Sequence, residues 1–231
     1  MNRFFERDLV SGHAIDVFQK NGLDSLGIMT SSTWHDDPRH LAFMLSRYKF
    51  VAKMLDGNNN VLEVGCGDAF CSRIVAQSVK SLTAIDIDPD FIRDAKLRIK
   101  EPWVYDVKVH DILESPVLGN FDSVYSLDVM EHIRQQDEHK YITNIQNSMA
   151  SDGMLIIGMP SIESQAYTSD INKISHVNCK NGEGLRKLMQ GYFRHVLLFS
   201  MNDEVIHTGY SKMAHYIITI CIGAKCVAFP P

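Results

Sequence analysis

Val61-Leu62-Glu63-Val64-Gly65-Cys66-Gly67-Asp68-Ala69 decides the fold. An apolar run carries an acid near its end and stops at two glycines one residue apart, and a helical pattern follows at once. A second apolar run, Leu82-Thr83-Ala84-Ile85, ends on Asp86, 21 residues beyond Gly65. Strand, glycine turn, helix, strand and acid, in that order, are the layout of a nucleotide-binding βαβ unit. The glycines let backbone approach a ligand closely, and the later acid can accept hydrogen bonds from ribose hydroxyls.

The residues around the glycines narrow the ligand. A dinucleotide fingerprint needs Gly or Ala at its sixth position, where the first helix packs on the strand. Phe70 stands there, and the small residue, Ala69, comes one place earlier. Glu63 sits where the strand enters the turn, a place that repels a pyrophosphate and attracts a cation. Glu63-Val-Gly-Cys-Gly-Asp-Ala resembles motif I of the class I S-adenosylmethionine-dependent methyltransferases. That cofactor carries a sulfonium and an ammonium and no phosphate.

Outward from this unit the chain alternates strands and helices. Asp36-Asp37-Pro38 predicts a helix start, and apolar residues from Leu41 to Leu55 recur at helical spacing. Strands are predicted at 60–64, 81–86, 103–109, 121–127 and 154–159, with helices at 69–78, after Pro89, from strand 4 to about 150, and near 181–190. Two closing strands, 192–200 and 213–222, have no helix between them. The order predicts an α/β, Rossmann-like, mostly parallel sheet in three α/β/α layers. The resemblance, which covers roughly residues 36–222, implies seven strands, the last antiparallel and inserted beside the fifth. Residues 1–231 read as one domain, with 1–56 an N-terminal helical cap or lid and 57–231 the α/β core.

The family pattern implies a cofactor set of Glu63, Gly65, Cys66, Gly67, Asp86, Ile87, Asp111, Ile112, Ser126 and Leu127. Asp86 would bind the ribose and Ile87 would lie along the adenine. Asp111, with backbone help from Ile112, would meet the adenine amine, although an Asp there also suits a surface turn. Ser126 and Leu127 would approach the amino-acid part through backbone. Asp88, before Pro89, reads as a helix N-cap.

Asp128, Glu131 and His132 stand at i, i+3 and i+4, on one face if that segment is helical. His132 is a candidate base for the acceptor's proton, and His176 a candidate partner from the later substrate-side loop at 160–179. The same four residues suit a divalent cation such as Mg²⁺ or Mn²⁺. An acid-x-x-Glu-His cluster with a distant His resembles the metal sites of small-RNA 2′-O-methyltransferases and of some ubiquinone-pathway O-methyltransferases. The implied activity is methyl transfer to a hydroxyl, or an amine, of a small molecule, nearest to the ubiquinone-pathway-like O-methyltransferase branch. Trp34, His35, Arg39 and Arg47, around the first long helix, could reach the substrate.

Composition agrees. The chain has 231 residues, 45% hydrophobic and 22% charged, enough for a full core. A net charge of −5 argues against a phosphate-dominated nucleic-acid surface. Five cysteines without a Cys-x-x-Cys pair, and a charged N-terminus, suggest a reducing cytoplasm. The longest apolar run, Tyr216 to Ala224, is too short to span a bilayer. Three rival functions remain open at this level: an RNA 2′-O-methyltransferase, a nicotinamide-dependent oxidoreductase, and a cofactor-fold subunit without turnover.

Overall fold

A computed structural model describes residues 8–225. Among the described residues three helices precede the sheet: α1 (Leu9–Asn21), α2 (Ile28–Asp36) and α3 (Pro38–Met54). The α/β core then runs β1 (Asn60–Val64), α4 (Ser72–Ala76), β2 (Ser81–Asp86), α5 (Pro89–Arg98), β3 (Asp106–Val109), β4 (Phe121–Leu127), α6 (Glu138–Ser148) and β5 (Met149–Pro160). It ends with α7 (Asp170–Ser175), α8 (Gly182–Tyr192), β6 (Phe193–Asn202), β7 (Val205–His207) and β8 (Tyr216–Ala224).

The strands form one sheet in the order β3-β2-β1-β4-β5-β8-β6-β7. The first five are mutually parallel, and β8 lies antiparallel between β5 and β6. Among the described residues the sheet has eight strands where seven were expected. The extra strand, β7, pairs with β6 through Asn202↔Val205. Asp203, at φ 48°, takes the left-handed turn between them, a conformation open to Asp.

Successive residues of a strand face opposite sides of a sheet, and the core obeys this. Val61, Leu82, Tyr125 and Ile156 pack with Tyr48 and Val51 of α3, Leu55 at its C-cap and Val75 of α4. Leu62, Ile85, Val124, Leu155 and Ile157 pack on the other face with Tyr141, Ile142 and Ile145 of α6 and Leu185 and Met189 of α8. Ile92 and Ala95 of α5 cover Ala84 and Val107. The result is a three-layer sandwich.

Several boundaries differ from the sequence pattern. The helix expected at 69–78 is only Ser72–Ala76, because Ala69 is left-handed at φ 54° and delays its start. Helix α3 begins as expected: the Asp37 side chain accepts from Arg39 N–H with Pro38 in the first turn. The segment 31–35, just ahead of α3, is itself helical in α2. Helix α1 has no buried residue. Among the described residues no helix is long and apolar enough to cross a membrane. Cys226 and residues 1–7 lie outside the described residues.

Candidate active site

The glycine loop is built as its sequence demands. Gly65 and Gly67 hold φ 80° and 54°, a region that L side chains rarely adopt. A Cβ on Gly65 would stand 2.1 Å from Val129 Cγ2, so the close approach of the β4 exit requires glycine there. The N–H groups of Gly65 and Cys66 donate to the Ile85 carbonyl at 2.8 and 2.9 Å, tying the loop to β2. Cys66 is buried, and that burial pushes its thiol far above the ordinary range.

Asp86 closes this corner. One carboxylate oxygen accepts from Gly67 N–H at 2.7 Å and the other from Asp88 N–H at 2.9 Å. A carboxylate offers about four acceptor positions, so capacity for two ribose hydroxyls remains. Ile87, next along, exposes its apolar side chain. Asp88 caps α5 through Asp90 and Phe91 N–H, as its position before Pro89 implied.

Glu63 sits elsewhere than its charge argument placed it. It shares strand parity with Val61 and so points to the α3 face. There it is buried, and its two oxygens accept from Tyr48 Oη and Tyr125 Oη, each at 2.7 Å. Burial raises its carboxyl pKa. Both carboxylate oxygens are thus taken by tyrosine hydroxyls. Ser126 also turns inward: its hydroxyl donates to the Val64 carbonyl and accepts from Tyr141 Oη. Leu127 is buried. Neither side chain is open to a ligand. Asp111 accepts from Leu113 N–H at 2.7 Å, a turn cap, while Asn144 Nδ2 holds the carbonyl of the buried Ile112.

Beyond β4 the chain does not continue as an α-helix. Asp128 is left-handed at φ 57°, and Met130–His132 form a single 3₁₀ turn. The shared helical face expected for Asp128, Glu131 and His132 therefore does not form. Asp128 instead faces α3, where Arg47 Nη1 donates to both its oxygens at 3.0 and 2.8 Å. The same guanidinium lies 3.7 Å from the Tyr216 ring centroid, a cation–π arrangement. Arg39 is spent on Asp37. Trp34 is 53% exposed, at the cap surface.

Glu131, His132 and His176 do meet. Their nearest ligand atoms all lie within 4.8 Å of one another. The two imidazole rings are 5.1 Å apart and nearly perpendicular. His132 Nδ1 lies 3.0 Å from the Ser175 carbonyl, and a carbonyl only accepts, so Nδ1 carries a proton and the ring's Nε2 edge is the one left for other partners. His176 Nδ1 lies 2.9 Å from Gln165 Oε1, which fixes that ring in the same sense. Burial, then the neighbouring His132, lowers the His176 pKa and favours the neutral ring. Glu131 is buried with Oε2 unpartnered, and burial followed by the charge of Asp128 raises its pKa well above the carboxylate range.

The cap reaches this region through residues that sequence pattern did not single out. Asp68 accepts from Thr30 N–H at 2.7 Å and Thr30 Oγ1 at 3.1 Å, and both residues are buried. Met29 lies on Gly67, where a Cβ would be 2.8 Å from its Sδ. Asp68 was visible as part of the glycine motif; Thr30 and Met29 carried no signal.

An eight-stranded sheet of this order, a glycine loop after β1 and an acid after β2 define a class of fold. Residues 62–157 match the family model described as a methyltransferase domain, and the sheet order is that of its Rossmann-like fold. Among curated proteins it is 30% identical over 124 residues to a ubiquinone biosynthesis O-methyltransferase of Xanthomonas axonopodis pv. citri (strain 306), covering 50% of this chain and 52% of the relative. The chain thus spans about half the length of the curated relatives it matches. Among solved structures it resembles the N-methyltransferase NodS from Bradyrhizobium japonicum WM9, in complex with S-adenosyl-L-homocysteine. That match has TM-score 0.59 and 19% identity, over 82% of this chain and 90% of that one. It also resembles the magnesium protoporphyrin IX methyltransferase of Synechocystis PCC 6803 with the same product bound. There the TM-score is 0.58 and the identity 16%, over 94% of this chain and 97% of that one.

Proposed function

We propose that this domain transfers the methyl group of S-adenosylmethionine to a hydroxyl, or an amine, of a small molecule. The observation that carries the acceptor chemistry is the pair of adjacent imidazoles, His132 and His176, each with Nδ1 against an oxygen acceptor and Nε2 without one. The neighbours solved with S-adenosylhomocysteine support the cofactor, and the relatives named as ubiquinone biosynthesis O-methyltransferases support oxygen, while the N-methyltransferase neighbour keeps an amine open.

The cofactor supplies the leaving group, so the chain's share of the work is to bind, align and deprotonate. Gly65, Gly67 and Asp86 would hold the nucleoside, with backbone of Ile112, Ser126 and Leu127 beside it. His132 Nε2 would take the acceptor's proton as the methyl arrives, with His176 alongside.

The donor set of Glu131, His132 and His176 fits a divalent cation, since carboxylate and imidazole ligands converge and Glu131 Oε2 is buried without a partner. Such an ion would lower the pKa of a bound hydroxyl. Asp128, grouped with them from sequence, is paired with Arg47 instead.

Calorimetric titration with S-adenosylhomocysteine, followed by label transfer from S-adenosyl-[methyl-³H]methionine to a panel of phenolic, alcoholic and amine acceptors, tests the proposal. Saturable binding with label in a hydroxyl-bearing product is expected. Absence of cofactor binding would overturn it.

A further inference from the structure

A cavity of about 430 Å³ opens between α4, the end of α5, the start of β3 and the linker joining α1 to α2. None of the residues assigned above to the cofactor or the acceptor lines it. Its size falls within the usual range for small-molecule pockets. Phe70, Trp103 and Tyr105 contribute aromatic walls. Arg73, from α4, and Lys100, just beyond α5, converge on a single carboxylate, that of Asp24 in the linker. The distances are 3.4 Å from Arg73 Nη1 and 2.6 Å from Lys100 Nζ. The Asp24 side chain is 57% exposed and both cations 42% exposed. Ion pairs this open to solvent contribute little, so an incoming anion can replace the carboxylate at small cost. Asp24 thus occupies, from the chain's own linker, the seat that a ligand anion would take beside an aromatic cavity.

We propose that this cavity is a second small-molecule site, and that it takes a flat aromatic carboxylate. The ligand's anion displaces Asp24 from between Arg73 and Lys100, and its ring lies among Phe70, Trp103 and Tyr105. The site adjoins the glycine loop: Ala69 lines it, and Tyr105 Oη donates to the Ala69 carbonyl at 2.6 Å.

The probe is 2-naphthoate, titrated into the full chain by calorimetry in saturating S-adenosylhomocysteine. The indole N–H NMR signal of Trp103 is followed in parallel. The chain has two tryptophans, so Trp34→Phe assigns that signal. Saturable one-to-one binding that shifts Trp103 is expected. Asp24→Asn removes the internal competitor and should tighten binding about three- to fivefold, the range of an exposed ion pair. Arg73→Met should weaken it by a similar factor. A gain in affinity cannot arise from a damaged fold, so the Asp24 variant keeps the test decisive if Arg73→Met folds poorly. The proposal is overturned by loss of binding in S-adenosylhomocysteine, by unchanged or weaker binding to Asp24→Asn, or by equal affinity for neutral 2-naphthylmethanol.

Discussion

The carboxylate of Asp68 holds Thr30 at both its backbone N–H and its hydroxyl, across 38 residues of sequence. The pair fastens α2 to the glycine loop and sets Met29 against Gly67. A second tie, Ile28 N–H to Asp94 at 3.3 Å, is longer and exposed, which leaves Asp68 as the main anchor of this helix.

Removing that anchor should free the cap. Asp68→Ala leaves two buried donors of Thr30 unsatisfied, and a loss of about 2–3 kcal/mol of stability is expected in urea denaturation. Limited proteolysis should cut faster between residues 22 and 37. If stability falls but that segment stays resistant, the cap is held by other contacts.

Arg47 and Asp128 form the second link between α3 and the cleft. The Arg47 side chain is 13% exposed and that of Asp128 36%, so the pair is only partly desolvated. Arg47→Met leaves the Asp128 charge facing an apolar neighbour and should cost about 1–3 kcal/mol, below the full figure for a buried pair because Asp128 keeps contact with water. The double variant with Asp128→Asn should cost less than the sum of the two single ones. Additive effects in denaturation would show that the two side chains do not couple.

These two links mark where sequence reading stops. The glycine loop, Asp86 and the Asp37 and Asp88 caps were legible, each from a local rule: period-two alternation, a cap before proline, a turn that only glycine can take. The insertion of β8 beside β5 was implied by the family resemblance alone. Thr30–Asp68 and Arg47–Asp128 are chosen by how distant segments pack, and no spacing encodes them. Helix α2 was missed because Ile-Met-Thr-Ser-Ser-Thr is poor in strong helix formers, so tertiary docking through Thr30 decides it. Glu63 was seen as an acid but aimed wrongly, although strand parity with the apolar Val61 already pointed it to the α3 face. The helical face drawn through Asp128, Glu131 and His132 failed at one residue, the left-handed Asp128, which pattern alone does not reveal.

Glu63 gives a pH signature. Burial raises its carboxyl pKa from 4.5, so between that value and the folded one the native state binds more protons than the unfolded state. Stability from this group is therefore full below pH 4.5 and falls as pH rises through the folded pKa, by up to about 1.4 kcal/mol per unit. In Glu63→Gln this slope is absent. The difference in stability between wild type and variant, measured by denaturant titration from pH 4.5 to 8, should shift steadily in favour of the variant. A constant difference across that range would mean that Glu63 ionises normally in the fold.

The imidazole pair separates the base from the ligand role. If His132 and His176 act as neutral bases, kcat/KM should fall on the acid side, with the limb set by a histidine below the ordinary 6.5, because burial and His132 both lower the His176 pKa. His132→Ala should reduce turnover at least tenfold while S-adenosylhomocysteine affinity changes less than threefold, since His132 is assigned to the acceptor and not to the cofactor. Glu131→Gln sorts the two chemistries. For a base mechanism without metal it should change turnover only modestly. For a cation held by Glu131, His132 and His176 it should weaken Mn²⁺ or Zn²⁺ binding by tenfold or more in calorimetry, alongside a matching loss in His176→Ala. Full activity in both histidine variants would remove this pair from the chemistry altogether.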